Sequence, residues 1–150
     1  MKGSACHSVW KLAAAALVCI GLSACSEGGP AKKKCYPVKG QLLVKSQPAA
    51  GARVILHPQG GGNPDEWFAG YPRGEVGADG SFEVGTYGDK DGAPAGDYVV
   101  LVTWPAATDP ANEEAPTVDK LGGKYAEPTT SQFKAKVEAG PTTLPPIKIP

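Results

Sequence analysis

From Tyr36 onward the apolar side chains of this chain return at every second residue, the period of a strand with one buried face, and not at the 3.6-residue period of a helix. Val38, Gly40, Leu42 and Val44 share one face, while Lys39, Gln41, Leu43 and Lys45 take the other. Val54 and Leu56 alternate with Arg53 and His57, and Phe133, Ala135 and Val137 alternate with Lys134, Lys136 and Glu138. Phe82 and Val84 follow the Ala78-Asp79-Gly80 turn, and Glu75-Val76 before it predicts the other arm of a hairpin. Tyr98 to Trp104 is apolar on both faces, which predicts a central strand covered on both sides. Leu144 to Ile149 predicts a last, Pro-interrupted edge strand. The 20 glycines and 15 prolines of the 150 residues fall between these runs and would break a helix. About seven short strands separated by turns predict an all-β fold, an antiparallel β-sandwich over residues 35–150.

Ahead of this region stands a segment of a different kind. Lys2, His7 and Lys11 precede an apolar run of eleven residues, Leu12 to Leu22, short of the roughly 20 that a membrane-crossing helix needs. A basic start, a short apolar stretch and small residues form a secretory signal pattern. Leu22-Ser23-Ala24-Cys25 resembles the bacterial lipobox, whose cysteine takes a diacylglyceryl group as a thioether and becomes the first residue after cleavage. The resemblance implies a lipoprotein signal peptide at 1–24, lipid attachment at Cys25 and anchoring in the cell envelope. Ser26, where the family's inner-membrane retention signal has Asp, implies the outer membrane, with the domain facing the periplasm or the cell surface.

The 15 basic and 15 acidic groups of the whole chain then divide unevenly. Residues 25–34 form a Gly-containing, flexible tether that carries Lys32, Lys33 and Lys34, able to solvate the linker or to meet anionic head groups. From Cys35 onward there are 10 basic and 14 acidic groups, which argues against a nucleic-acid partner. Cys6 and Cys19 leave with the signal and Cys25 is lipidated, so Cys35 remains as a thiol, either buried or unpaired or in an intermolecular bridge.

The run Val38-Lys39-Gly40 to Val44, then Pro48-Ala49-Ala50-Gly51-Ala52-Arg53-Val54-Ile55-Leu56, resembles the opening of carboxypeptidase regulatory-like, or transthyretin-like, domains. Asp79-Gly80-Ser81-Phe82-Glu83-Val84 and Pro94-Ala95-Gly96-Asp97-Tyr98-Val99-Val100 continue that pattern, which spans residues 38 to 102. The segment from Lys120 to Tyr125, with Pro128 and Phe133 after it, is similar to small exported lipoproteins of planctomycete type that carry this domain. The resemblance implies architecture and location, and a fold by itself implies no activity.

Chemistry-bearing residues are sparse. His57 is the one histidine after residue 24, so a His cluster for a metal cannot form and a triad would have to be built around it. It reads either as a strand-end residue bonded to loop backbone or as a catalytic base. Transthyretin-related hydrolases end in a Tyr-Arg-Gly-Ser motif, whereas this chain ends Pro-Pro-Ile-Lys-Ile-Pro, and no G-x-S-x-G nucleophile motif occurs. Asp89, Asp91 and Asp97 read as a polar turn or as an incomplete Ca²⁺ loop lacking the terminal Glu. Trp67, Phe68 and Tyr71 lie in a loop, residues 57–72, otherwise made of turn residues; they form either a contact surface for a glycan or protein partner or a cap over the open end of the sandwich. Pro105 to Lys120 is a long Ala/Pro-rich acidic connection, read as mobile. These features together predict a lipid-anchored, non-enzymatic envelope protein serving as a structural or interaction module, with no cofactor and no metal. A carbohydrate- or peptide-binding domain using the aromatic loop is the alternative, and a hydrolase ranks behind both.

Overall fold

The computed structural model describes residues 31–61, 67, 69–106 and 117–150. Cys25, the apolar run before it and Phe68 lie outside them, as does most of the acidic connection. The described residues contain no helix and eleven strands: β1 (Cys35–Tyr36), β2 (Val38–Val44), β3 (Gln47–Pro48), β4 (Arg53–Pro58), β5 (Arg73–Glu75), β6 (Ser81–Glu83), β7 (Ala93–Pro94), β8 (Gly96–Thr103), β9 (Lys134–Val137), β10 (Thr142–Thr143) and β11 (Ile147–Ile149). They form a β-sandwich of two sheets with a two-stranded ribbon, β1 against β7, at one end.

In the first sheet β2 is central. β6 and β3 pair with it antiparallel along one edge, and β10 and β11 run parallel to it along the other. In the second sheet β5, β4, β8 and β9 lie in that order, every pair antiparallel. The antiparallel expectation therefore holds for the second sheet and fails at the C-terminal edge of the first. The physical reason is the route of the chain: the turn after β9 carries it from the second sheet to the first, and it returns beside β2 in the same direction. Pro145 and Pro146 fall in the gap between β10 and β11, where a missing backbone N–H costs no ladder bond.

The predicted hairpin about Asp79 also divides between the sheets. Its turn forms as expected: Asp79 Oδ1 accepts from the Ser81 N–H at 2.9 Å and from the Ser81 hydroxyl at 2.7 Å, and Gly80 takes φ +82°. Its arms then separate, β5 pairing with β4 and β6 with β2. They touch again through a single bridge between Arg73 and Gly85, so one flank of the sandwich is partly closed by backbone hydrogen bonds.

Side chains that alternate inward fill the space between the sheets. Val38, Leu42, Val54, Leu56, Val84, Val100, Val102 and Val137 are fully buried, each worth about 1.5–3 kcal/mol in transfer free energy for a residue of this size. Gly40 lies opposite Phe82 on the neighbouring strand, and a Cβ there would run into the Phe82 ring, so the glycine makes room for the aromatic that covers it. Leu101 is buried too, although it points out of the second sheet; it pairs in register with the half-buried Ile55.

The sandwich has two distinct poles. At one, the tether pole, residues 31–37, the loop after β4, the loop between β6 and β7, and the β1/β7 ribbon come together. At the other, the far pole, lie the β2–β3 turn, the turn at residues 76–80, and residues 104–106 and 117–125.

Candidate functional site

The aromatic loop falls at the tether pole. Trp67 is only 5% exposed and belongs to the hydrophobic core, while Tyr71 is half-buried against it. The His57 and Tyr71 rings meet edge to face at 4.7 Å, and Tyr71 and Trp67 do so at 5.8 Å. Of the two roles the sequence offers, contact surface or cap over the open end of the sandwich, Trp67 and Tyr71 take positions that fit the cap, and Phe68 lies outside the described residues. The reason is area: an indole buries more apolar surface than any other side chain, and the open end of a two-sheet core is the nearest place for it. Among the described residues the Trp67 Nε1–H has no hydrogen-bond partner. His57 Nδ1 lies 3.1 Å from the Pro58 carbonyl, the strand-end arrangement bonded to loop backbone.

The lysines that precede the sandwich dock on this pole. Lys33 Nζ stands 4.5 Å from the Trp67 ring centroid, Lys34 Nζ 5.3 Å from that of Tyr36, and Lys32 Nζ 5.8 Å from that of Tyr87. The Lys33 backbone N–H donates to the Tyr87 hydroxyl at 3.0 Å. Residues 32–34 are thus held against the domain, which sequence composition, rich in small and charged residues, did not suggest. Cys35 beside them is half-buried and, among the described residues, forms no disulfide. Burial pushes its thiol up, a hydrogen bond with Thr86 opposes this, and the Asp91 charge adds to the rise. The Tyr98 hydroxyl, buried at the same pole, donates to the Pro94 carbonyl at 2.7 Å, and its pKa is pushed up to about 12 by desolvation first and then by Cys35 and Tyr87.

Asp91 organises the neighbouring loop. Its carboxylate accepts the N–H groups of Thr86 at 2.6 Å and of Tyr87 and Gly88 at 3.1 Å each, while the Thr86 hydroxyl donates to the Gly92 carbonyl. Oxygens that a Ca²⁺ loop would present to the ion are here turned to backbone. Among the described residues no group of three or more His, Cys, Asp or Glu side chains is placed to hold a metal.

An open groove of about 1120 Å³ follows the flank where β5 and β6 diverge. Part of its charge is matched within the wall. Glu83 takes Lys39 at 2.8 Å and Lys90 at 3.2 Å, which holds its carboxyl below the usual range, and Arg73 donates to the Ala69 carbonyl at 2.7 Å.

The far pole holds a smaller, solvent-open cavity of about 580 Å³ with a different lining. Val44, Leu121, Ile149 and the Trp104 and Tyr125 rings form its apolar lining, with Lys45, Lys120 and Lys124 at the rim. Asp119 builds the wall: Oδ1 accepts the N–H groups of Trp104 at 2.7 Å and Leu121 at 3.1 Å, and Oδ2 accepts that of Gly123 at 2.9 Å. Desolvation raises the Asp119 pKa, and these three donors outweigh it and hold the carboxyl below its ordinary value. Trp104 is fixed at its other end by its Nε1–H, which donates to the Ala50 carbonyl at 3.0 Å. Lys45 and Ser46 form the two-residue turn between β2 and β3 with φ +49° and +64°, a left-handed pair that normally selects Asn-Gly and costs a non-glycine residue about 1–2 kcal/mol. The sequence marks Lys120 to Tyr125 as part of a family resemblance and Val44, Lys45 and Trp104 as strand residues, but it does not bring them together as a site, because they are far apart along the chain. Comparison with family models, with curated proteins and with solved structures finds no match to this chain.

Proposed function

We propose that the chain is a lipid-anchored, non-enzymatic β-sandwich of the cell envelope, of transthyretin-like type, that works as an interaction module with its far pole turned away from the membrane. The observation that supports this most is the docking of Lys32, Lys33 and Lys34 on the rings of one pole, only seven positions after the lipobox cysteine. Seven residues reach at most about 25 Å when extended, so a lipid on Cys25 keeps the tether pole close to the head groups. Each lysine near an anionic surface adds about 1 kcal/mol of attraction to that of the acyl chains. A non-catalytic role is supported by His57, whose ring packs on Tyr71 and whose Nδ1 faces its own loop, and by Asp91 and Asp119, whose carboxylates are committed to backbone N–H groups.

Labelling with radioactive palmitate tests the anchor. The wild-type chain takes up label and fractionates with outer membranes, and Cys25→Ser does neither. Equal labelling of the two proteins would refute the anchor.

A further inference from the structure

We propose that the far-pole cavity is a binding site for a saccharide that carries carboxylate groups. The proposal takes from the preceding reading only the premise that the domain binds something, and it does not depend on the lipid.

Three observations converge on this cavity. Its volume, about 580 Å³, lies in the range of small-ligand sites and accommodates a few sugar rings. Its lining joins the aliphatic side chains of Val44, Leu121 and Ile149 to Trp104, which is held at both ends, a rigid apolar surface against which the C–H groups of a sugar pack. Its rim carries Lys45, Lys120 and Lys124, all exposed, and among the described residues none of the three has a carboxylate within ion-pair distance. In the flank groove, by comparison, the two lysines Lys39 and Lys90 share Glu83. Lys120 instead rests 4.5 Å from the Trp104 ring centroid and Lys124 5.3 Å from that of Tyr125, weak contacts that an anion replaces with ion pairs. Lys45 is held at the rim by a backbone conformation unfavourable for its type, and its N–H donates to the Ile149 carbonyl at 2.8 Å.

A saccharide is favoured over an acidic peptide by the state of the backbone around the cavity. The N–H groups of Lys45, Lys120, Leu121 and Gly123 are all taken, by Ile149, by Trp104 and by Asp119, so an extended peptide finds no ladder of donors here. A sugar acid needs only an apolar surface and a positive charge, and both are present.

The test is calorimetric titration of the full chain in detergent with trigalacturonate, compared with its uncharged trimethyl ester. The expected result is millimolar or tighter binding of the acid, at least tenfold weaker binding of the ester, and at least a tenfold loss in Lys120→Ala/Lys124→Ala. Lys134→Ala/Lys136→Ala, which removes two lysines from the outer face of the second sheet, leaves binding unchanged. All four lysines are exposed, and matching melting curves establish that the variants fold. Absence of heat at 10 mM trigalacturonate, equal binding of the ester, or an equal loss in the Lys134/Lys136 variant overturns the proposal. Tighter binding of a glutamate hexapeptide than of trigalacturonate overturns it in favour of an acidic peptide. None of these outcomes touches palmitate labelling of Cys25, so the site and the anchor stand or fall separately.

Discussion

Asp119 accepts the backbone N–H of Trp104 at 2.7 Å across fifteen positions of sequence, and the same carboxylate takes two further N–H groups from the turn that follows it. One short side chain therefore fixes both the place where the chain leaves β8 and the place where it returns. The long connection between them is closed at its base by the Pro105–Asp119 bridge and by the Ala106 N–H donating to the Val118 carbonyl at 2.8 Å.

This carboxylate sets an acid dependence. Its pKa is lowered in the folded state, so the stabilisation is present above the unfolded value near 3.8 and is lost as pH falls through the lower folded value. Asp119→Asn keeps one acceptor oxygen and removes the charge. Urea unfolding at pH 7 is expected to show a loss of about 1–3 kcal/mol, shrinking below pH 4. An undiminished difference between the two proteins at pH 3 would count against the ionised carboxylate as the cause.

Gly40→Ala places a methyl group against the Phe82 ring. The expected destabilisation is about 1–3 kcal/mol. Combining it with Phe82→Leu, which removes the clashing ring edge, gives a double variant more stable than the sum of the two single changes predicts. Strict additivity would mean that the two positions do not compete for the same space.

Trp67 tests whether the tether pole is core or contact surface. Trp67→Ala is expected to cost about 3–5 kcal/mol, and Trp67→Phe considerably less, because the phenyl ring keeps most of the buried apolar area and, among the described residues, no acceptor is orphaned when the indole N–H goes. Denaturation midpoints with unchanged slopes are the measurement. A midpoint within experimental error of wild type for Trp67→Ala would show the ring to be dispensable to the fold.

The Cys35 thiol, raised by burial, is expected to react with iodoacetamide at pH 8 several-fold more slowly than glutathione, and to gain rate in 8 M urea as the desolvation is relieved. Reaction at the rate of an exposed thiol under native conditions would place the sulfur in water.

Much of this architecture is legible in the alternation of side chains. Each of the seven runs read as a strand corresponds to one in the structure, the last one shortened to Ile147–Ile149 with β10 lying just before the predicted run, because burial of one face demands period two whatever the neighbouring strands are. The two-residue pieces β1, β3 and β7 are too short to show a period, and the dipeptides that form them look like linker or turn. Leu43→Val44 and Gln47→Pro48 pair only because Lys45 and Ser46 accept a left-handed turn that their residue types do not favour. The candidate sites were less legible. For Trp67 and Tyr71 the sequence leaves a binding loop and a cap as alternatives, and only their packing against the core in three dimensions distinguishes the two.

What the chain's sequence determined on its own is local: which residues face inward, where the chain must turn, that no helix competes, and which short segment resembles a lipid-attachment signal. Tertiary structure alone decided how the strands are shared between two sheets, because the arms of the Asp79 turn and the strand after Val137 cross from one sheet to the other, and alternation is identical in either. It also decided that Lys45, Trp104, Lys120 and Lys124 meet at one pole while Lys32, Lys33 and Lys34 gather at the opposite one. Side-chain period records the distance of a residue from the core and carries no information about which other residues share its end of the sandwich.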